Sequence, residues 1–357
     1  MTAVLILLCH GCPPQAIVAA CGLDERTVAA WLRRAGDHCA ALHGHLVEGG
    51  QVAAGQVRAD EIRVKVRGGV VWQAMALDVL SRLWLGGAVS PTRDGALVTR
   101  LLERVRACVA TRAILLCVDG FAAYIGAART AFRVPVYTGK RGCPRLGWPE
   151  GFLLAPVVKS HKGRRLAEVT RRVVVGAEGA VARVIAATRG GTQINTSYIE
   201  RLNATVRAHL APLARRGRAL AHGSALIESG MWLVGSAYNV CWAHESLRLR
   251  AIGGRKWQQR TPAMAAGLTD HAWTLEEVLR YPVPPRPRTV TTKPRRGRRR
   301  DQGRLLSSPS RPAPRRPRGG PLTGLFRLCE LAEFVPNKNV DGLIVSEASI
   351  ALYNDPC

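Results

Sequence analysis

Acidic residues are scarce in this 357-residue chain: 25 Asp and Glu stand against 52 Lys and Arg, giving a formal net charge of +27. A chain so basic suits a polyanion, because each Lys or Arg brought to a phosphate releases a condensed counterion. No uninterrupted apolar run reaches membrane-spanning length. No basic amphipathic helix with a large aromatic face stands out, so nucleic acid is favoured over an anionic membrane. The opening stretch, Met1 to Cys9, is apolar but lacks a basic n-region and a cleavage pattern, so no secretory signal is expected. Ten cysteines are scattered without the spacing of a disulfide framework. The expected compartment is the reducing cytoplasm, in association with the nucleoid. There is no internal repeat.

What is present is a foldable chain, with 47% hydrophobic residues and room for two or three domains. The charge is unevenly spread. Residues 281–320 hold 13 Lys/Arg and one acid, residues 321–357 hold two bases and five acids, and residues 1–280 keep +18. Four regions follow: a helical 1–45, an α/β region at 52–280, a Pro/Arg-rich basic tail at 281–320 expected to be disordered, and an unassigned extension at 321–357.

In the first region, Pro14 to Ala20 reads as a short helix and Cys21-Gly22 as a tight turn. Asp24 suits an N-cap, with Leu23 and Val28 at the spacing of a hydrophobic staple. Val28, Trp31 and Leu32 make a buried stripe and leave Arg26, Arg33 and Arg34 outside. This is helix-turn-helix patterning, whose second helix can enter a major groove; an ordinary helical hairpin is the alternative.

The α/β region opens with Val57 to Val66, where Ile62, Val64 and Val66 alternate with Arg63, Lys65 and Arg67 as in a strand with one wet face. Gly68-Gly69 makes a hairpin turn, Val70 to Leu77 is the return strand, and Leu83-Trp84-Leu85 begins a third. Leu97, Leu101, Leu102, Val105 and Val109 repeat at helical spacing. Ala113 to Val118 is a short apolar run typical of a buried strand, ending at Asp119-Gly120. Three antiparallel strands, a helix and a parallel central strand give the order of a ribonuclease-H-like mixed sheet with flanking helices.

Asp60 on the first strand and Asp119 at the end of the fourth converge if those strands are neighbours. Two such acids suit Mg²⁺, which takes oxygen ligands and retains waters for a substrate phosphate. A third carboxylate is expected from the helix beginning near Asn195 or Thr196, whose apolar stripe is Ile199, Leu202, Val206, Leu210 and Leu213. Glu200, Asn203 and Arg207 fall on another face of it. Each acid has a plainer alternative: Asp60 as a strand-edge acid with Glu61 as the ligand instead, Asp119 as a turn residue, Glu200 as a solvated helix acid.

Asp60-Glu61, the run Val118 to Tyr124 and the run Ile199 to Leu210 resemble three blocks of bacterial insertion-sequence transposases of the DDE group, of the "IS-one" type. Tyr238 to His244 and Thr261 to Leu268 add to the similarity, which spans about residues 1–280. The resemblance implies a catalytic and metal-binding triad of Asp60, Asp119 and Glu200, and two Mg²⁺ or Mn²⁺ ions. It also implies cleavage of element ends in double-stranded DNA, transfer of the freed 3′-hydroxyl into target DNA, and a homodimer or larger assembly on DNA. Lys159, Lys162, Arg164 and Arg165 after an apolar strand, Arg215 and Arg216 after the Glu200 helix, and Asn203 and Arg207 within it are candidate DNA contacts, beside Arg26, Arg33 and Arg34. A DNA-binding regulator without catalysis, or a related nuclease without strand transfer, stays open. Relatives in that family carry a zinc-binding cysteine module ahead of the helix-turn-helix; here Cys9 and Cys12 have no matching second pair, and free thiols are expected.

Overall fold

A computed structural model describes residues 1–285 apart from 138, 140–141, 164, 215–216, 218 and 251–255. The tail beyond 285, the 321–357 extension, Arg164, Arg215 and Arg216 therefore lie outside the described residues. The described part belongs to one unit, Met1–Thr289.

Three helices come first: α1 (Thr2–Cys9), α2 (Pro14–Cys21) and α3 (Glu25–His43). Local chemistry fixes their ends. Pro14 occupies the first turn of α2, where its missing N–H costs nothing, and Gly22 caps it at φ 61° in the left-handed region. The Asp24 carboxylate accepts from the Arg26 backbone N–H at 2.7 Å and starts α3. A single π-helical turn, Gly44–Glu48, ends this helical stretch.

The α/β part runs β1 (Gln56–Val66), β2 (Gly69–Asp78), β3 (Trp84–Ser90), α4 (Gly95–Cys108), β4 (Leu115–Asp119) and α5 (Ala123–Phe132). A small ribbon of β5 (Val134–Val136) and β6 (Arg145–Gly147) follows, then β7 (Leu153–Lys162), β8 (Arg165–Arg171) and α6 (Glu178–Ala187). The chain continues through α7 (Ser197–His209) and α8 (Ser224–Val240) to a second ribbon, β9 (Leu249–Arg250) with β10 (Trp257–Gln258), and two short helices, α9 (Pro262–Ala265) and α10 (Leu275–Arg280). The main sheet has six strands in the order β3-β2-β1-β4-β7-β8. β1 pairs antiparallel with β2 and parallel with β4, β4 pairs parallel with β7, and β8 returns antiparallel. It is a mixed sheet with flanking helices.

The register explains the burial. Gln56 to Ala59 pair with β4 on one edge and β2 on the other, so this half of β1 is central in the sheet and lies under helices, and is buried; Arg63 and Lys65 lie past the end of β4 and are exposed. The one-wet-face alternation thus holds only for the second half of the strand. α4 and α5 cover one face of the sheet. α6, α7 and α8 cover the other, where Leu115 and Cys117 meet Val181 and Ile185 of α6. α8 is nearly all buried and is clamped to β3 by Asn239, which accepts from the Trp84 backbone N–H at 2.8 Å and donates to the Trp84 carbonyl at 2.9 Å. α3 packs on α8 so that the first three helices and the sheet share one core. Among the described residues, no helix is long and apolar enough to cross a membrane.

Candidate metal centre

Parallel pairing of β1 with β4, in a register that ends at Ala59 opposite Val118, sets Asp60 beside Asp119. Adjacent strand residues ordinarily point to opposite faces, and Asp60 and Glu61 do begin that way. β4 stops at Asp119, however, so no strand residue fills the space beside Glu61, and both side chains reach the same rim. Asp60, Glu61 and Asp119 each bring a carboxylate oxygen within 4.8 Å of the other two.

The electrostatics of this rim are those of crowded acids. Burial, then the neighbouring charges of Asp119 and Glu61, push the Asp60 carboxyl up to about 6. Burial, then Asp119, also raise Glu61. Glu61 is only 8% exposed; its Oε1 and the Tyr124 hydroxyl are both buried, and that hydroxyl is a donor close enough to ease the Glu61 charge. A buried carboxylate oxygen is costly unless a cation or a donor meets it. The oxygen-only donor set of three crowded acids fits a hard divalent ion such as Mg²⁺ or Mn²⁺.

Several side chains hold the acids in place. Asn203 Nδ2 donates to Asp60 Oδ2 at 2.8 Å, and the Glu61 backbone N–H donates to Asp60 Oδ1 at 2.9 Å. The Phe121 backbone N–H donates to Asp119 Oδ1 at 2.9 Å, closing the turn after β4. Arg93, in the loop between β3 and α4, is paired with both Glu61 Oε2 and Asp119 Oδ2 at 2.8 Å. Its guanidinium lies over the Phe121 ring, 4.3 Å from the centroid, and 5.2 Å from that of Trp72. Tyr124 is fully buried beside Glu61; burial, then the Glu61 charge, push its phenol far up, so it stays neutral.

Glu200 lies in the first turn of α7 and does not join the close cluster. Its Oε1 accepts from Lys159 Nζ at 2.5 Å and from the Thr196 hydroxyl at 2.8 Å. Partial burial raises its carboxyl, and the bonds from Lys159 and Thr196 outweigh that and leave it below the ordinary value. Glu61, not Glu200, is therefore the third acid at the rim. The two sites are linked all the same, because Asn203 on α7 touches Asp60.

Arg58 explains how α7 is aimed. It is 0% exposed on β1, two residues before Asp60, and forms no ion pair among the described residues; burial lowers its pKa to about 10. Its guanidinium donates to Asn195 Oδ1, the Gly190 carbonyl and Ser197 Oγ. These bonds tie the start of α7 to β1. Asn195 in turn accepts from the Ser197 backbone N–H at 3.2 Å, while Thr196, the N-cap residue, makes no side-chain cap bond.

The expected DNA contacts divide into groups. Arg26, Arg33, Arg34, Lys162 and Arg165 are exposed. Lys159 is engaged with Glu200, and Arg207 is half-buried. Asn203, expected as an exposed contact, is 2% exposed and donates to Asp60, so in this structure it positions an acid. Arg58 and Arg93 were not singled out from the sequence, because only tertiary pairing gives them meaning. The eight described cysteines form no disulfide among the described residues. A separate cavity of about 500 Å³, lined by Leu8, Val28 and Leu233 among others, lies away from the acids between α3 and α8. No known protein-family model matches the chain, and none of the curated proteins compared with it matches either.

Proposed function

We propose that the chain is a metal-dependent enzyme of phosphodiester chemistry on DNA, a transposase of the DDE group built on a ribonuclease-H-like fold. The carrying observation is the meeting of Asp60, Glu61 and Asp119 at the end of a parallel strand pair, with oxygens within 4.8 Å of one another. The strand order, three antiparallel strands leading into parallel β4 and β7, agrees with that fold. The capped α2-turn-α3 unit, with Arg26, Arg33 and Arg34 exposed, supports a helix-turn-helix that meets duplex DNA.

Asp60, Asp119 and Glu61 would hold the divalent ions, with Glu200 as the ligand that α7 can deliver once Lys159 lets it go. When bound, the ions supply a polarised phosphate and a more acidic attacking water or hydroxyl. The protein's own groups do the positioning. Asn203 keeps one Asp60 oxygen turned toward α7 and leaves the acid aimed at the rim. Arg93 and Lys159 are cations beside the acids that can move to phosphate oxygens of the substrate. Phe121 and Tyr124 wall the rim with aromatic rings in edge contact, 6.5 Å apart.

The test is Asp119→Ala in the full chain, assayed for nicking of supercoiled plasmid and joining of a labelled duplex end in Mg²⁺ or Mn²⁺. Both activities should fall by at least about 10³-fold, in line with the loss of a principal electrostatic group, with DNA affinity within about twofold. A variant that nicks normally removes the site assignment. Binding without metal-dependent nicking by the unaltered chain points to a DNA-binding regulator, and nicking without joining points to a nuclease.

A further inference from the structure

A second cavity, of about 310 Å³, lies on the side of α7 away from the acids. Tyr198, Arg201, Thr205 and His209 follow one another at helical spacing along that side, whereas Asn203 looks to Asp60. Among the described residues no carboxylate lines the cavity. Two arginines do, and their charge reaches across it: burial first, and then Arg82 and Arg201, lower the ionisation of His244 on the far wall. Arg201 is exposed, and its guanidinium makes no hydrogen bond or ion pair among the described residues.

Arg82 is held there at a cost. It sits at φ 61°, a left-handed conformation that non-glycine residues seldom adopt. The turn is fixed by Asp78, which accepts from the Ser81 backbone N–H at 2.9 Å and hydroxyl at 2.6 Å. The Arg82 guanidinium stacks over the Tyr198 ring, 3.7 Å from its centroid, and donates one Nη1 hydrogen to the Val79 carbonyl, leaving its other Nη for an anion.

The opposite wall is aromatic. His209 and Trp242 lie with ring centroids 4.1 Å apart at 35°. His209 Nδ1 is 3.2 Å from the Cys9 carbonyl, an obligate acceptor, so Nδ1 carries the proton and Nε2 is left as an acceptor. His244 has the opposite tautomer. Its Nδ1 accepts from the Ser246 backbone N–H at 3.3 Å, so Nε2 is a donor. The cavity thus offers cations, a stacking wall, and one donor and one acceptor. Its volume is at the small end of ligand pockets, roughly 300–1,000 Å³.

We propose that this cavity receives one unstacked nucleotide of a DNA strand, with the base against His209 and Trp242 and the phosphate between Arg82 and Arg201. The recognised chemistry is a nucleoside monophosphate: a flat ring for the aromatic wall and an anion for the two guanidinium groups. An unpaired nucleotide reaching this side of α7 would fix the strand relative to the helix that carries Glu200. The inference needs the chain to bind DNA, as the proposed function does, but does not need the acids to cleave it.

The experiment uses the full chain with duplexes carrying a single 2-aminopurine, either unpaired or paired, and with free dAMP as a second ligand. The unpaired duplex should bind about tenfold more tightly than the paired one, the scale of one base stacked on an aromatic group, with 2-aminopurine fluorescence quenched by Trp242. Arg201→Gln, and Arg82→Gly, which keeps the left-handed turn, should each remove the difference and leave the paired duplex unchanged. Saturable dAMP binding lost in both variants, with no preference for the unpaired duplex, would support the cavity with a free nucleotide as its occupant. Equal duplex affinities with no dAMP binding, or a preference that survives both variants, overturns the proposal. Asp119→Ala measured alongside should keep the preference, so failure of the catalytic reading is distinguishable from failure of this one.

Discussion

Arg93 holds the place that a cation would take at the acidic rim. Its guanidinium bridges Glu61 and Asp119, and it is packed over Phe121. A divalent ion must compete with this bridge for the same oxygens. Arg93→Gln should therefore tighten Mn²⁺ binding by roughly tenfold, the value of a charge-assisted hydrogen bond at a partly exposed site, as read by isothermal titration calorimetry. Unchanged or weaker binding would mean that the ion sits elsewhere. Asp60 adds a pH dependence with a definite sign. Its carboxyl is raised from 3.8 to about 6, so the folded protein holds that proton more tightly than the unfolded chain. Ionising it costs the fold at most about 3 kcal/mol, a penalty that builds as pH rises from about 3.8 to about 6, is constant above that, and is absent below the unfolded value. A metal takes only the ionised form. The rise in Tm produced by Mg²⁺ should thus be small near pH 5 and grow to several degrees near pH 7. A rise of equal size at both pH values would rule out Asp60 as a ligand.

Among the elements, α3 and α8 show how closely the first helices are joined to the rest. A Cβ built on Gly36 of α3 would lie 2.5 Å from Ser229 Cα and 2.9 Å from the Ser229 carbonyl oxygen of α8. Those are backbone atoms and cannot move aside cheaply. Gly36→Ala should cost about 1–3 kcal/mol by overpacking, despite the better helix propensity of Ala, and lower the midpoint of urea unfolding. A neutral or stabilising effect would mean that the two helices are not in contact in solution. The same elements show what could be read in the chain. α2, α3, α4 and the stripe of α7 were legible because caps and 3.6-residue periodicity are local properties: Asp24, Gly22 and the Leu97–Val105 series carry them unaided. The strand ends at Val66 and Asp119 were legible for the same reason. The third acid was not. Whether Glu61 or Glu200 joins Asp60 depends on where β4 stops and on the reach of Lys159 from β7, which no local pattern records. Nor does period-two reasoning anticipate a fully buried Arg58, whose partners at Gly190, Asn195 and Ser197 are more than 130 residues away.

At the scale of the whole molecule the charge decides how binding responds to salt. The excess of +27 is not confined to the basic stretch: residues 281–320 carry 13 Lys/Arg and one acid, and residues 1–280 still hold +18. Part of that excess is engaged within the protein, because Arg58 is buried, Arg93 bridges two acids and Lys159 pairs with Glu200. Arg26, Arg33 and Arg34 on α3, with Lys162 and Arg165 at the β7–β8 turn, remain exposed. A chain ending at residue 285 should therefore still bind duplex DNA at about 50 mM salt. Each phosphate contact contributes about 0.9 to the slope of log K against log salt, so loss of the basic stretch should flatten that slope by several units without abolishing binding. Fluorescence anisotropy across a salt series measures both quantities. If the shortened chain fails to bind even at low salt, the exposed cations of α3 and the β7–β8 turn do not form a DNA surface. Recognition would then rest on the basic stretch alone, and the acids at the β1–β4 rim would lack a folded platform to bring a phosphodiester to them.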